Sequence, residues 1–204
     1  MFITFEGPEG CGKTTHAKRL KNYLEGIGHQ VLLTQEPGGT LLGRKIREIL
    51  LSPESVLDDS TEVYLFAADR SEHVSKIILP ALREGKIVIS DRFIDSTLAY
   101  QVGGRGLPED FVRYLNMVSS QGLIPDLTFL LDVSVEIGLK RATANGLADR
   151  FERETLAFHQ RVREYYLEIA EGEKQRFKII NTDDKKIEEV QNIIREYIDE
   201  KFGN

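Results

Sequence analysis

Apolar residues in this chain fall into short runs separated by longer amphipathic stretches. Five runs read as strands: FITFE from Phe2, QVLLTQ from Gln30, KIVIS from Lys86, LTFLLDV from Leu127 and FKIIN from Phe177. Each is nearly continuous rather than alternating, the pattern of strands covered on both faces. The intervals are long enough for crossover helices, so the pattern predicts an α/β fold built on a parallel sheet. The clearest helix is the last. Ile187, Val190, Ile194, Tyr197 and Ile198 recur on one face, behind Thr182 and Asp183 as start signals. Residues 61–68, TEVYLFAA, are apolar almost all round and predict a deep helix, yet they run directly into Asp69 and Arg70. The densest charge, over residues 171–178, is expected to solvate a helix end.

Composition narrows the class. At 204 residues the chain has length for one well-buried core and little for two, so a single domain over residues 1–204 with one mobile subsection is expected. A formal charge of -6, from 27 Lys and Arg against 33 Asp and Glu, argues against broad binding to nucleic acid or an anionic membrane. The lone Cys11 rules out an internal disulfide framework and fits a reducing compartment. MFITFEGPEG opens with neither a basic segment nor a long apolar stretch, and no apolar run reaches about eighteen residues, so a cytoplasmic location is expected. His16, His29, His73 and His159 show neither ligand nor catalytic spacing, and packing or surface roles are expected of them.

The first predicted strand leads into Gly7-x-x-x-x-Gly12-Lys13-Thr14, which opens a predicted helix. This is the context a phosphate-binding loop requires, although a glycine-rich strand-to-helix turn with a chance lysine has the same letters. Glycines permit backbone geometries closed to other residues, so successive N–H groups can wrap phosphates at a helix N-terminus. The candidate ATP site is therefore Gly7, Pro8, Glu9, Gly10, Cys11, Gly12, Lys13, Thr14 and Thr15, with Lys13 reaching the β- and γ-phosphates and the Thr14 hydroxyl on Mg²⁺. Cys11 reads as a small filler.

A phosphate loop serves GTPases, motors, switches and small-molecule kinases alike. No Asn-Lys-x-Asp sequence is present to read guanine. Three segments point to a second substrate. Asp91-Arg92 follows a strand at the edge where ligands gather in parallel sheets; it is either a carboxylate for Mg²⁺ beside a phosphate-binding guanidinium or an ordinary ion pair. Phe66 and Arg70 share a helix face, as a base-stacking ring and an edge-reading fork or as a core Phe and a surface Arg. EPGGT, from Glu36, is a turn leading into a helix with Arg44, Lys45 and Arg47.

Taken together, FEGPEGCGKTT, EPGGT, LFAADR, DRFIDSTLAYQ with GGRG, PDLTFLLDV and ADRFE resemble, in order and spacing, the successive motifs of bacterial thymidylate kinases. The resemblance implies the P-loop nucleoside monophosphate kinase fold, a five-stranded parallel sheet flanked by helices with a mobile lid, usually as a homodimer. It implies transfer of the ATP γ-phosphoryl group to dTMP with Mg²⁺, Lys13 and Arg92 being catalytic. By position it assigns Glu9 to the sugar 3′-hydroxyl, Phe66 and Arg70 to the thymine, and Arg92 to the acceptor phosphate. Asp91 falls near the metal with Thr14; Thr97 and Gln101 address the base; Tyr100 crowds the 2′ position. Glu36 and Arg47 complete the dTMP set.

One branch of this family carries an arginine inside the phosphate loop, where this chain has Gly10; the other places arginines in the lid. The lid expected here is residues 143–153, TANGLADRFER, with Arg150 and then Arg153 as catalytic candidates, or as exposed arginines pairing with Asp149, Glu152 or Glu154. This chain also departs from relatives at Gln35, Thr143 and Asn145, where arginines are found. A kinase for another nucleoside monophosphate and a nucleotide-dependent binding protein are the competing readings.

Overall fold

A computed structural model describes residues 1–145 and 148–202. Five strands, β1 (Phe2–Glu6), β2 (Val31–Gln35), β3 (Ile87–Asp91), β4 (Leu127–Asp132) and β5 (Phe177–Asn181), form one parallel sheet in the order β2-β3-β1-β4-β5. All five strands read from the apolar pattern are present, within one residue of their expected ends.

Helices cover both faces. On one lie α1 (Lys13–Gly26) and α9 (Ile187–Phe202), whose Ala17, Leu20, Leu24, Val190, Ile194 and Ile198 pack on Ile3, Phe5, Ile89 and Phe129 of the sheet. Of the expected apolar stripe of the last helix, Val190, Ile194 and Ile198 are buried and Tyr197 packs beside them, whereas Ile187, in the first turn, is exposed. Against the other face lie α3 (Asp59–His73), continued by a π-helical stretch Val74–Ile78 into α4 (Leu79–Arg83), and α8 (Leu156–Gly172). The remaining helices are α2 (Leu41–Leu51), the short α5 (Ile94–Thr97), which continues into a second π-helical stretch Leu98–Gly104, α6 (Glu109–Ser119) and α7 (Val135–Ala142). A 3₁₀ turn, Thr143–Asn145, follows α7.

The sheet is less uniformly apolar than its sequence pattern suggests. Period-2 alternation sends Thr4, Glu6, Ser90 and Thr128 to the second face, all fully buried. Thr4 and Thr128 pair there at 2.8 Å across neighbouring strands. The edge strands β2 and β5 are only half covered, because each has a neighbour on one side alone.

Three local expectations are corrected. Thr182 and Asp183 do not start α9: both oxygens of Asp183 accept from Ser134, its N at 2.7 Å and its Oγ at 2.5 Å, while Thr182 Oγ1 donates to Asp132 O, so the pair ties the start of α7 to the end of β5. Residues 61–68 do lie in a helix, but Tyr64 and Ala68 are exposed and the deepest positions of α3 include Glu62, Asp69, Arg70 and His73. Within the charged run 171–178, Arg176 is turned inward to a bidentate pair with fully buried Asp95, at 2.7 and 2.8 Å.

Candidate active site

The register Phe5↔Asp91 sets the ends of β1 and β3 side by side. Their following loops, residues 7–12 and Arg92 onward, therefore emerge together at the carboxyl edge of the sheet, where parallel folds gather ligands. Gly7, Gly10 and Gly12 all have positive φ, at 141°, 68° and 98°. Gly12 is the N-cap of α1, so the loop curls over a helix N-terminus, a backbone arrangement that suits an anion. Lys13 folds back along the loop, its Nζ donating to Gly7 O at 3.0 Å and Pro8 O at 2.8 Å. Thr14 Oγ1 donates to Asp91 Oδ2.

Gly10 touches α7 directly. A Cβ at Gly10 would stand 1.9 Å from Gly138 O, and one at Gly138 would stand 2.4 Å from Glu9 O. The phosphate loop and the helix leading to residues 143–153 thus meet backbone to backbone.

Arg92 is one of two non-glycine residues with positive φ among those described, at 70°. Such a conformation is disfavoured by about 1–2 kcal/mol and recurs where function demands a side-chain direction. Its Nη2 donates to Glu9 Oε1 at 2.7 Å and Tyr100 OH at 3.1 Å; its Nη1 reaches Gly7 O, Ser96 Oγ and Tyr166 OH. Burial works against the Glu9 charge, but Arg92, then Lys13 and the Tyr100 hydroxyl, hold its carboxyl down at about 2. Burial, with the Arg92 guanidinium next, lowers the Arg47 pKa. Two guanidiniums facing one space, one of them short of compensation, make a site that gains from an incoming anion.

Behind this layer sits Glu6, the last residue of β1. Burial, then the charge of Asp95, pushes it up to about 7. It accepts from Phe93 N at 2.7 Å and Ser96 Oγ at 2.5 Å, and so holds the backbone after Arg92 in place.

Two cavities meet here, sharing Glu9, Glu36, Arg47 and Arg92 as a common wall. The first runs beside the phosphate loop past Lys13, Thr14, Asp91 and Arg141. The second is lined by Phe66, Arg70, Thr97, Tyr100, Gln101 and Phe151. Phe66 stands 6.0 Å from the Phe151 ring, and Phe151 meets Tyr100 edge-on at 5.6 Å, so aromatic rings form one end of this pocket. Arg70 is 2% exposed, which removes the alternative of a surface arginine. Its Nε bonds Glu36 Oε2 at 2.8 Å, Nη1 bonds Asn116 Oδ1 at 2.7 Å, and Nη2 bonds Thr97 Oγ1 at 2.8 Å and Phe93 O at 3.1 Å. That uses four of the five donors of a guanidinium. Glu36 also meets His73 Nδ1 at 2.9 Å, so the EPGGT loop orients Arg70. Thr40 at the end of that loop caps α2 by accepting from Gly43 N.

Of the expected lid, residues 146 and 147 lie outside the described residues. In the rest, Asp149 Oδ1 accepts from Phe151 N and Glu152 N while Asp149 N donates to Glu152 Oε2, a reciprocal cap that fixes the turn. Arg150 points away from the phosphate loop: its N and Nε donate to Leu51 O and Leu50 O, and its Nη2 lies 2.5 Å from Glu62 Oε2. Arg153 donates to Ala148 O. Neither lines the two cavities. Arg141, held by Thr182 O and Asp183 O, is the arginine of this region that does.

Sequence reasoning missed Glu6, Glu62, Asp95, Ser96, Asn116 and Tyr166. For Glu62 a signal existed, since Glu62, Phe66 and Arg70 recur every four residues on one helix face. Tyr166 and Asn116 arrive from distant helices, and nothing local marks them.

Comparison with known proteins agrees with this geometry. The family profile described as thymidylate kinase matches residues 5–194. The thymidylate kinases of Maridesulfovibrio salexigens and Oleidesulfovibrio alaskensis are 50% and 53% identical over 191 and 189 residues, covering 90% and 89% of this chain and 88% and 89% of theirs. A crystal structure of thymidylate kinase from Ehrlichia chaffeensis superposes with a TM-score of 0.81 at 38% identity, covering 97% of both chains.

Proposed function

The chain belongs to the thymidylate kinase family and phosphorylates dTMP; from that premise we propose how its residues carry the ATP γ-phosphoryl group to the acceptor, giving ADP and dTDP. The observation that carries the reading is the shared wall of Arg47 and Arg92 between the two cavities. ATP lies along the phosphate loop, held by its N–H groups and Lys13, and dTMP lies in the aromatic pocket. Two polyanions must meet in line, and catalysis of such a transfer is largely positioning and charge neutralisation. Arg92 and Arg47 supply that between them, and Glu9, already on Arg92, meets the sugar 3′-hydroxyl.

A hydroxyl and a carboxylate that converge at the rim of the donor cleft, Thr14 and Asp91, fit Mg²⁺, which takes hard oxygen ligands and retains several waters. Held by these two residues, the ion would supply charge neutralisation for the donor phosphate oxygens. The acceptor phosphate is itself ionised near neutral pH, its second pKa being about 6, so no dedicated base is assigned. Glu6 holds the Arg92 loop from behind and lines neither cavity.

The pocket reads the base by stacking on Phe66 and by hydrogen bonds from Arg70, Thr97 and Gln101, while Tyr100, tied to Glu9 at 2.6 Å, crowds the 2′ side. The lid, residues 143–153, supplies Arg150 and Arg153 to the transferring group once Arg150 leaves the Leu50 and Leu51 carbonyls and the Glu62 carboxylate, which Arg105 continues to hold. The chain works as one catalytic unit in the cytoplasm, in keeping with its free, buried Cys11. Among the described residues, no helix is long and apolar enough to cross a membrane. A homodimer is supported by Tyr64 on α3, which meets Phe111 of α6 edge-on, beside Tyr114, Met117 and Val118, all four residues other than Phe111 being more than half exposed. Light scattering should give twice the 23.2 kDa chain mass; a monomer at micromolar concentration refutes that part.

An acceptor panel tests the whole reading. With ATP and Mg²⁺, turnover of dTMP should exceed that of UMP, dCMP and dGMP, with dUMP second. Preference for any acceptor outside dTMP and dUMP, or hydrolysis of ATP without transfer, overturns it.

A further inference from the structure

Glu62 is fully buried on α3, one turn before Phe66, and lines neither cavity. Its Oε1 accepts from Gln101 Nε2 at 2.8 Å and Arg105 Nε at 3.1 Å; Oε2 accepts from Arg105 Nη2 at 3.2 Å and faces Arg150 Nη2. Gln101 is also fully buried, yet it lines the acceptor pocket, and its Oε1 has no hydrogen-bond partner among the described residues.

The two observations are one. A carboxylate held between guanidiniums accepts hydrogen bonds and donates none, so an amide beside it must turn its NH₂ group inward. The carbonyl oxygen of Gln101, a residue of the pocket wall, is then left as a bare acceptor. An unpaired buried acceptor is costly until a ligand N–H satisfies it.

We propose that Glu62 is a specificity-determining positioning residue: by fixing Gln101 with its carbonyl toward the pocket, it selects a pyrimidine carrying a ring N–H at that edge and rejects one presenting a bare ring nitrogen. This rests on the assignment of the pocket to the acceptor base. Thymine and uracil carry the N3 hydrogen; cytosine, with a lone pair at N3, leaves two acceptors facing each other. Rejection of an acceptor that leaves a buried polar group unpaired is the strong form of discrimination, stronger than shape alone.

The replacement Glu62→Gln keeps the size of the side chain but can present either end to Gln101, so the Gln101 amide is free to flip. Measured with ATP on the full chain, the ratio of kcat/KM for dTMP over dCMP should fall roughly 10-fold to 100-fold, mainly through a higher KM for dTMP, with KM for ATP unchanged. Glu62→Asp, still acceptor-only, should retain more of the ratio than Glu62→Gln. Gln101→Leu should lose the ratio alone, and adding Glu62→Gln to it should cost no further selectivity, because both act through one amide. Equal losses on both acceptors in Glu62→Gln, or additive losses in the double variant, overturn the proposal. Should Glu62→Gln fail to fold, an unchanged ratio in Gln101→Leu overturns it equally. A wild-type enzyme that does not use dTMP would instead refute the pocket assignment.

Discussion

Arg92→Met should lower kcat/KM for dTMP by roughly 10³-fold or more, within the range of a charge-stabilising arginine in phosphoryl transfer. Two losses combine. The cation between the cavities disappears, and the half-buried Glu9 carboxylate, held at about 2 chiefly by Arg92, loses its main counter-charge. Arg92→Lys should recover little, because a single ammonium cannot reproduce a fork that spans Glu9 and Tyr100 on one nitrogen and Ser96 and Tyr166 on the other. Steady-state kinetics with ATP and dTMP varied in turn give the check. The loss should appear in the dTMP parameters, and a kcat/KM within tenfold of wild type would show that Arg92 is an ordinary ion pair after all.

The second large effect is expected at Gly10. The resemblance points to a loop arginine in one branch of the family, but the backbone forbids Gly10→Arg here: φ is 68° and a Cβ would collide with Gly138 O at 1.9 Å. Gly10→Arg and even Gly10→Ala should therefore lower kcat by roughly 10²-fold, since small displacements of a phosphate cradle are expensive, and should lower the melting temperature as α7 is pushed away. A Gly10→Arg enzyme as active as wild type would refute this. In the proposed mechanism the lid supplies the arginine that the loop lacks. Arg150→Ala or Arg153→Ala should reduce kcat by about 10³-fold with little change in KM for dTMP, and unchanged kcat in both removes the lid arginines from the mechanism.

How far the sequence carried these conclusions depended on whether the relevant contacts are local. Strands β1 and β5 were legible as short continuous apolar runs and α9 by the period of its buried residues, because each signal lies within one segment. The phosphate loop was legible because its geometry is made by glycines close together. Thr182 and Asp183 misled because a helix-start signature cannot say which helix it serves; their partners are Ser134 and Asp132, about fifty residues away. Arg70 could be placed on a face with Phe66 but not at a depth, since depth comes from Glu36, Asn116 and Thr97 arriving from three other segments. The lid arginines were legible as residue types only: the direction of Arg150 is set by Glu62 and by the carbonyls at the end of α2, and that of Arg153 by Ala148 O.

The two faces of the sheet differ in a way that bears on how this enzyme could change. The face under α1 and α9 is apolar at its centre, so volume-conserving exchanges among Ile3, Phe5, Leu20, Leu24 and Ile194 are tolerable, and this is where thermostability can be raised by repacking. The face carrying Thr4, Glu6, Ser90 and Thr128 is a polar foundation for the Arg92 loop. Making it greasier would improve the fold by the ordinary measure of burial and degrade the enzyme. Selection for stability and selection for activity can therefore act on opposite sides of a sheet only one residue thick.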